Sequence, residues 1–505
     1  MRLLKDLISE FGSLLLSPVS EEQGSLEINA LIYDTRAEFT EGSMFVCISG
    51  ASFDGHDFAA EAVKKGASVI VSEKDLNLPD DALLIKVGDS RKALALLSSA
   101  WFGHPSRELT TIGLTGTKGK STTCYMIRNI LDRAGKKCGI IGTIGIVIGD
   151  KTYETHNTTP ESFQIQEYMR QMVDAGCDTL VMEVSSQGLK QSRVYGIDFD
   201  IAVFTNLSKD HIGGAEHKDF EEYMYCKSLL FKQCKCAVLN VDDAHFEDMI
   251  KESSAQLEAY GIAFDENDAA LDSFKVKEKA ENLTLTTEGG VMGIKFDYSG
   301  HFKGKAYLSI PGKFNVMNAL CAITVCSHFT NDTRIIYDAL ATTHVRGRLE
   351  PVKISDNCSL LIDYAHNAVA LESVINTLRD YSPKRLVVLF GCGGNRSKDR
   401  RYEMGEVSSR LSDLTVVTSD NPRFEKPEDI INDILIGVGK ANGKYITIPD
   451  RREAIKYVID NAEEGDCILL AGKGNEDYQE IEGVRYHMDE REIIADILSQ
   501  KQVVL

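Results

Sequence analysis

Residues 111 to 123, Thr-Ile-Gly-Leu-Thr-Gly-Thr-Lys-Gly-Lys-Ser-Thr-Thr, gather glycines, lysines and hydroxyls in one short run. Gly116 and Gly119 allow the backbone to curl its N–H groups around an anion, Lys120 can reach terminal phosphates, and the Ser121 hydroxyl can hold Mg²⁺. Leu109 to Thr115 reads as a short buried strand, and Met126, Ile127, Ile130 and Leu131 recur at helical spacing after it. The glycines therefore fall at a strand-to-helix junction, where phosphate meets the positive end of a helix. Such a loop needs a carboxylate near Ser121, because Mg²⁺ is hard, near-octahedral and bridges phosphate oxygens. Glu183 closes a strand-like run, Thr179 to Val184, and His211 follows another, Ile201 to Asn206, so both can face the loop across the top of a sheet.

These side chains need rigid elements behind them, and the chain supplies an α/β pattern in three stretches. Residues 1–105 read as a small domain, with strands at Ala30 to Tyr33, Met44 to Ile48 and Ser68 to Val71 and a helix at Phe58 to Lys65. Asp34-Thr35-Arg36 stands at a strand end where ligands are held, although a capped turn explains it more simply. In residues 106–345, strands at Gly139 to Ile148, Thr179 to Val184, Ile201 to Asn206 and Cys236 to Val241 alternate with helical runs at Phe163 to Ala175 and Phe220 to Phe231. That alternation predicts a largely parallel sheet with helices on its faces. Residues 243–310 read as a β-rich excursion turning at Gly289-Gly290, and Pro311 to Ser327 returns to helix. Residues 346–505 carry strands near Leu360 to Tyr364, Leu386 to Phe390, Leu414 to Thr418 and Cys467 to Ala471, each ending in a polar cluster. Ligands bind outside the carboxyl ends of such strands, so His366, Arg396, Asp420 to Arg423 and Gly472 to Glu476 can converge on one site.

The bulk properties narrow the partners. A length of 505 residues suits about three domains of ~150 residues. The formal charge of −20 opposes general affinity for nucleic acid or anionic membranes, so phosphate must be met by local basic pockets. Twelve cysteines without regular spacing, and no leader-like start, predict reduced thiols in a cytoplasmic protein. Cys234 and Cys236 form the only tight pair, with no second pair nearby, so no zinc site is expected from spacing. The apolar runs fall short of a membrane span, and a monomer is expected.

The phosphate loop has Leu114 where the common form has glycine, leaving the shorter Gly116-Thr117-Lys118-Gly119-Lys120-Ser121. This form resembles the Mur ligases and folylpolyglutamate synthases, which join an amine to a carboxylate using ATP. Met182-Glu-Val-Ser-Ser-Gln-Gly-Leu189, Phe204-Thr-Asn-Leu-Ser-Lys-Asp-His211 and Tyr225-Cys-Lys-Ser-Leu-Leu-Phe231 resemble the Mur ligases more closely, in the branch that adds the third residue of the cell-wall peptide. The resemblance implies a three-domain Mur ligase architecture: a UDP-substrate domain (1–105), an ATP-binding phosphate-loop domain (106–345) and a Rossmann-like amino-acid domain (346–505). It implies two Mg²⁺ ions, one held by Ser121, Glu183 and His211 and a second ligated by Lys227 carboxylated on Nζ, with Lys120, Lys227, Glu183 and His211 in catalysis. A desolvated lysine loses its proton more easily, and its neutral amine can capture CO₂ to become an anionic ligand.

By the same resemblance ATP is held by Gly116, Thr117, Lys118, Gly119, Lys120, Ser121 and Thr122, with Asn315 in Phe314-Asn-Val-Met-Asn318, Arg348 in Arg346-Gly-Arg348 and His366 in Asp363-Tyr-Ala-His366. The UDP-N-acetylmuramoyl-dipeptide falls to Thr35, to Thr158 and Thr159 of Asn157-Thr-Thr-Pro160, and to Ser185, Gln191 and Arg193. Four positions depart from the family pattern: Lys118 replaces Asn, Gln187 and Asn475 replace His, and Gly213-Gly-Ala-Glu-His217 replaces an acidic-aromatic stretch.

The incoming amine should be chosen by Arg396, by Asp420-Asn421-Pro422-Arg423 and by Gly472 and Glu476, which resemble the version taking meso-diaminopimelate. That amino acid carries a distal ammonium and a distal carboxylate, so it needs a cationic fork and an acid together. Lysine would leave Arg423 facing no anion, at a cost of several kcal/mol. The activity implied is ATP-dependent amide ligation in peptidoglycan precursor synthesis through an acyl phosphate, with L-lysine or another diamino acid as the alternative substrate. A folylpolyglutamate-type ligase has no counterpart to the first ~100 residues or to Asp-Asn-Pro-Arg. A phosphate-loop switch or motor would hydrolyse ATP without a small acceptor.

Overall fold

The computed structural model describes every residue except 51–52, 211, 214–215, 266 and 505, and the side chains of 501–504. The chain divides into two compact units, Met1–Glu278 with Cys321–Thr330, and Lys279–Leu320 with Asn331–Leu505. Among the described residues no helix is long and apolar enough to cross a membrane, and all twelve cysteines are unpaired.

The first unit begins with a four-stranded parallel sheet in the order Ala30–Ile32, Ser43–Val46, Ala67–Ser72, Leu83–Lys86. Its strands are apolar on both faces, because parallel strands are covered on both sides. Leu31, Met44, Val46, Val69 and Val71 pack with Leu94 and Leu97 of the helix Ser90–Trp101, while Phe45 and Ile70 face Ala59 and Ala62. Asp89 caps that helix by accepting from the Lys92 N–H at 3.0 Å.

Beyond it lies the sheet that carries the phosphate loop. Six parallel strands run in the order Cys138–Gly142, Thr179–Glu183, Thr110–Thr115, Phe199–Phe204, Cys234–Asn240, Gln256–Gly261. The order places Thr110–Thr115 between the strands that end at Glu183 and at Phe204, the crossover position where an open α/β sheet binds its ligand. The single strand expected over Gly139 to Ile148 is instead a hairpin. Cys138–Gly142 reverses into Gly145–Ile148, with Gly142 paired to Gly145, and Lys151–Tyr153 extends the antiparallel edge. An unbroken apolar run hid a two-residue turn, and Thr143 in that turn belongs to the site. The parallel pairing also persists through Gln256–Gly261, inside the stretch expected to be a β excursion.

The division between the units falls within the strand Val276–Glu288, which pairs antiparallel with Val291–Ser299, itself paired to Gly304–Leu308. The rest of the second unit is a six-stranded sheet ordered Glu350–Lys353, Ser359–Asp363, Asp466–Ala471, Arg385–Phe390, Leu414–Val417, Tyr445–Thr447. All its pairings are parallel except the first. Val387, Leu389, Ile468 and Leu470 pack on Ala454, Ile455 and Ile494 from the helices on one face. The carboxyl ends of these strands are drawn together by Arg451, wholly buried, which pairs with Glu490 at 2.8 Å and donates to the carbonyls of Ser419 and Ala471 at 3.1 and 2.9 Å.

Candidate functional site

In the first unit the loop after Thr110–Thr115 enters the helix Lys120–Arg133, as the motif requires. Gly116 has φ +144°, and a Cβ there would lie 2.0 Å from Thr205 Oγ1, so only glycine fits. The loop is pinned from the neighbouring strand end: Thr205 Oγ1 and Asn206 Nδ2 donate to the Lys118 carbonyl at 2.7 and 3.0 Å, and Asn206 Oδ1 accepts from the Lys118 N–H at 3.0 Å. Lys118 itself is exposed. Lys120 Nζ bends back to the carbonyls of Gly116 and Thr117 at 2.8 and 3.1 Å. Thr122 is buried on the first turn of the helix.

Ser121 Oγ donates to Glu183 Oε1 at 2.8 Å. Glu183, at 2% exposure, also accepts from the Thr143 N–H at 2.9 Å and hydroxyl at 3.2 Å. It lies against Gly142, where a Cβ would stand 2.4 Å from Oε1. Hydroxyl and carboxylate so paired are the hard oxygen donors that Mg²⁺ takes. His211, expected beside them, lies outside the described residues.

Lys227 is buried on the helix Phe220–Ser228, with Nζ donating to the Gly116 carbonyl at 3.0 Å and standing 4.5 Å from the centre of the Tyr223 ring. Burial first, and the Lys120 charge second, push its ammonium well below the usual lysine range. The shift favours the neutral amine, which is the form that captures CO₂. Tyr223, one helical turn before Lys227, bonds Thr117 Oγ1 at 3.1 Å and so joins the phosphate loop to the lysine. That i, i+4 spacing was a usable signal in the sequence.

Beside the loop and Lys227 opens a cleft of ≈ 400 Å³, lined by Gly116, Lys120, Thr158, Thr159, Ser185, Gln187, Gln191, Arg193, Tyr223 and Lys227 among others. Thr159 Oγ1 donates to the Glu183 carbonyl and accepts from the Ser185 N–H, both at 2.9 Å. Thr158 Oγ1 lies 2.9 Å from Thr143 Oγ1. Arg193 donates to the Thr159 carbonyl and to Gln191 Oε1, both at 2.7 Å, while its buried Nε has no hydrogen-bond partner. The Glu161 carboxylate stands 3.7 Å from that nitrogen, within ion-pair reach but too far for a hydrogen bond. Thr35 does not line this cleft. It sits in a turn capped by Asp34, which also holds Arg36 through Nε at 2.9 Å, and the Thr35 carbonyl accepts from Lys65 at 3.1 Å.

In the second unit a cavity of ≈ 130 Å³ is lined by Tyr364, His366, Arg396, Arg400, Asp420, Asn421, Arg423, Gly472 and Glu476, among others. The sheet thus brings together the polar strand ends at 366, 396, 420–423 and 472–476. Pro422 is buried in the same loop without lining the cavity. Arg423 has φ +51°, a left-handed conformation uncommon for a long side chain, and this backbone is held by reciprocal bonds with the hairpin Tyr478–Ile481 and Val484–His487. Its guanidinium donates to the Gly394 carbonyl at 2.8 Å and pairs with Glu480 at 3.2 Å, so, contrary to the expectation from sequence, Arg423 keeps an anionic partner whichever amino acid binds. Glu476 Oε2 accepts from Asn421 Nδ2 at 2.8 Å and from Lys473 Nζ at 2.9 Å. Glu480 and Arg400 were not foreseen, and Lys473 was given no role of its own within the Gly472 to Glu476 run. Lys473 is fully buried and also donates to Asn421 Oδ1 at 2.8 Å, so it sets both neighbours.

The remaining expected nucleotide contacts also belong to the second unit. Arg348 stacks over Tyr364, 5.0 Å from the ring centre. His366 Nδ1 lies 3.0 Å from the Tyr364 carbonyl. Buried Asp363 accepts from the Leu349 and Ala365 N–H groups, both at 2.8 Å, and burial raises its carboxyl above the usual range. Asn315 is buried in the helix Lys313–Cys326, bonded to the Pro311 carbonyl at 2.7 Å and to Asn318 at 2.9 Å.

The Mur ligase family models match along the chain: the catalytic domain over residues 36–102, the middle domain over 114–326 and the glutamate ligase domain over 347–474. The chain belongs to the Mur ligase family. A relative from Clostridium botulinum, named UDP-N-acetylmuramoyl-L-alanyl-D-glutamate--2,6-diaminopimelate ligase, is 42% identical over 486 residues, covering 95% of this chain and 97% of its own. A protein of the same name from Geobacillus thermodenitrificans is 40% identical over 489 residues, covering 95% and 96%. A solved structure of a ligase of that name is 27% identical and covers 99% of each chain, with a TM-score of 0.73.

Proposed function

We propose that this chain ligates 2,6-diaminopimelate to UDP-N-acetylmuramoyl-L-alanyl-D-glutamate at the expense of ATP, in the synthesis of peptidoglycan precursors. The observation that carries the reading is the Gly116–Ser121 loop, backed by the buried Ser121–Glu183 pair and by a buried Lys227 of lowered proton affinity, with Gly116, Lys120 and Lys227 lining one cleft. The names of the relatives supply the two substrates.

The loop N–H groups and Lys120 bind the phosphates, and Thr158, Thr159, Ser185, Gln191 and Arg193 orient the UDP-dipeptide in the adjoining cleft. Thr35, at its strand end, is assigned to the uracil nucleotide, and Asn315, Arg348 and His366 to ATP. Lys227, as its neutral amine, adds to CO₂ to give an N-carboxylate and a proton, and Tyr223 and the Gly116 carbonyl hold it in place. Ser121, Glu183, His211 and the carboxylated Lys227 would hold two Mg²⁺ ions, which would supply charge neutralisation for phosphoryl transfer. The D-glutamate side-chain carboxylate attacks the γ-phosphorus, ADP leaves, and an acyl phosphate forms. The amine of the diamino acid attacks the acyl carbon, the C–O bond breaks, and phosphate departs with the carboxylate's oxygen. Arg423 and Glu476 bind the distal carboxylate and ammonium, with Arg396, Asp420, Asn421 and Gly472 completing that pocket. Twelve unpaired thiols suit a reducing compartment, and the reaction is assigned to the cytoplasm.

The test is ADP release measured with the UDP-dipeptide and each candidate amino acid. Release requires both the dipeptide and diaminopimelate, and lysine is a poor replacement. Release indifferent to both partners overturns the ligase reading; equal use of lysine overturns the choice of amino acid alone.

A further inference from the structure

Away from the phosphate loop, the parallel strands Cys234–Asn240 and Gln256–Gly261 are registered so that Cys236 lies opposite Gln256 and Val238 opposite Glu258. Directly paired residues share a sheet face, and residues two apart on a strand return to it. Cys236, Gln256 and Glu258 therefore crowd one face. His328, in the segment that follows the helix Lys313–Cys326 and belongs to the first unit, brings its Nε2 to 3.0 Å from Glu258 Oε2. One ligand atom each from Cys236, Glu258 and His328 all lie within 4.8 Å of one another.

We propose that Cys236, Glu258 and His328 form a site for a zinc-class divalent ion, separate from the Mg²⁺ chemistry of the loop. Thiolate, carboxylate and imidazole are borderline-soft donors that select zinc and its neighbours over Mg²⁺. Bonds of about 2.0–2.3 Å place tetrahedral donors about 3.5 Å apart, so on binding the wider separations, at most 4.8 Å, close while the 3.0 Å contact between Glu258 and His328 opens slightly. Glu258 is 1% exposed, and a buried carboxylate is costly unless it is paired or coordinates a cation. The His328 side chain is 28% exposed, which gives the ion a way in. Gln256 Nε2 donates to Glu258 Oε1 at 2.9 Å and fixes that oxygen, leaving Oε2 toward the histidine, in the manner of the outer partners that orient metal ligands. Burial, then the Glu258 charge, pushes the Cys236 thiol up to about 12, so it binds by releasing its proton to solvent when the cation arrives. Sequence spacing could not show this site, because Glu258 and His328 stand 70 residues apart and Cys236 contributes without Cys234. The carboxyl end of the Cys236 strand, Asn240, donates to the Thr205 carbonyl at 2.7 Å behind the phosphate loop. The ion thus braces a strand that supports the loop without touching the reacting groups.

The experiment is titration of the reduced, metal-stripped full chain with Co²⁺ and competition with Zn²⁺, in the wild type and in Cys236→Ser, His328→Ala and Gln256→Ala variants checked for fold by circular dichroism. A one-to-one near-ultraviolet thiolate-to-cobalt band is expected, displaced by Zn²⁺ and lost in Cys236→Ser and His328→Ala. Gln256→Ala keeps the band with affinity lowered about 10–100-fold. The oxygen-rich Mg²⁺ site contains no sulfur, so it cannot give this band, and Cys236→Ser retains ligase turnover with Mg²⁺ and ATP. No band, or a band that survives in either ligand variant, overturns the proposal.

Discussion

Replacing Gly142 by alanine puts a methyl group against the carboxylate assigned to Mg²⁺. Gly142 has no positive φ, so the backbone accepts alanine; the conflict is with Glu183, whose Oε1 would lie 2.4 Å and Cδ and Cγ 3.0 Å from the new Cβ. Ordinary van der Waals contact begins near 3.4 Å, so Oε1 must retreat by about 1 Å. A displacement of that size in an aligned group costs on the order of 10²-fold in rate, or about 2.7 kcal/mol of barrier. Overpacking costs stability of about 1–3 kcal/mol as well, so a control is needed on the same strand. Gly139 supplies it, because its Cβ would meet Met172 Sδ at 2.5 Å, the far end of a flexible side chain away from the site. With kcat measured at saturating substrates, a Mg²⁺ titration and thermal melts on both variants, Gly142→Ala is expected to lose about 10²-fold in kcat and to need more Mg²⁺. Gly139→Ala melts earlier with kcat near wild type. A Gly142→Ala enzyme with wild-type kcat and Mg²⁺ dependence refutes the assignment of Glu183.

Three further outcomes follow from particular contacts. Lys227→Ala abolishes turnover, and a short carboxylic acid added to the assay restores part of it; full activity without the acid removes the carboxylated lysine from the account. Arg423→Ala raises the KM for diaminopimelate more than tenfold through loss of a bidentate anion contact, with no matching change in the KM for ATP, as initial-rate kinetics will show; equal effects on both would place Arg423 outside the amino-acid pocket. Arg401, buried and donating to both Glu425 oxygens at 2.7 and 2.8 Å, lowers the Glu425 carboxyl from its ordinary 4.5 to about 2. A depressed folded-state value gives stability that is present above about 4.5 and lost as pH falls towards 2. Arg401→Met should therefore flatten the acid limb of a melting-temperature profile in that window, and an unchanged limb contradicts the pairing.

The phosphate loop was legible because its glycines, lysine and serine act through local backbone geometry, and the strand-to-helix context is itself local. The convergence of 366, 396, 420–423 and 476 was legible for another reason: parallel strands send all their carboxyl ends to one side. What stayed hidden depends on contacts between distant segments. Thr143 was concealed within a run that read as one strand, and its place at the site is visible only once its N–H and hydroxyl meet Glu183, 40 residues on. Lys473 lay within the Gly472 to Glu476 run expected at the site, but its part in positioning Asn421 and Glu476 depends on burial and on its bonds to both. The Lys227 environment needed tertiary packing to appear, since burial, not sequence, lowers its proton affinity.

The central claim is that the carboxylate is activated by phosphorylation before the amine arrives, and the fate of one oxygen tests it. UDP-dipeptide labelled with oxygen-18 in the D-glutamate side-chain carboxylate is turned over with ATP and diaminopimelate, and the released phosphate is analysed by mass spectrometry. One labelled oxygen in each phosphate, with ADP formed in equal amount, is the predicted result. Unlabelled phosphate, or label recovered in a nucleotide monophosphate, contradicts it.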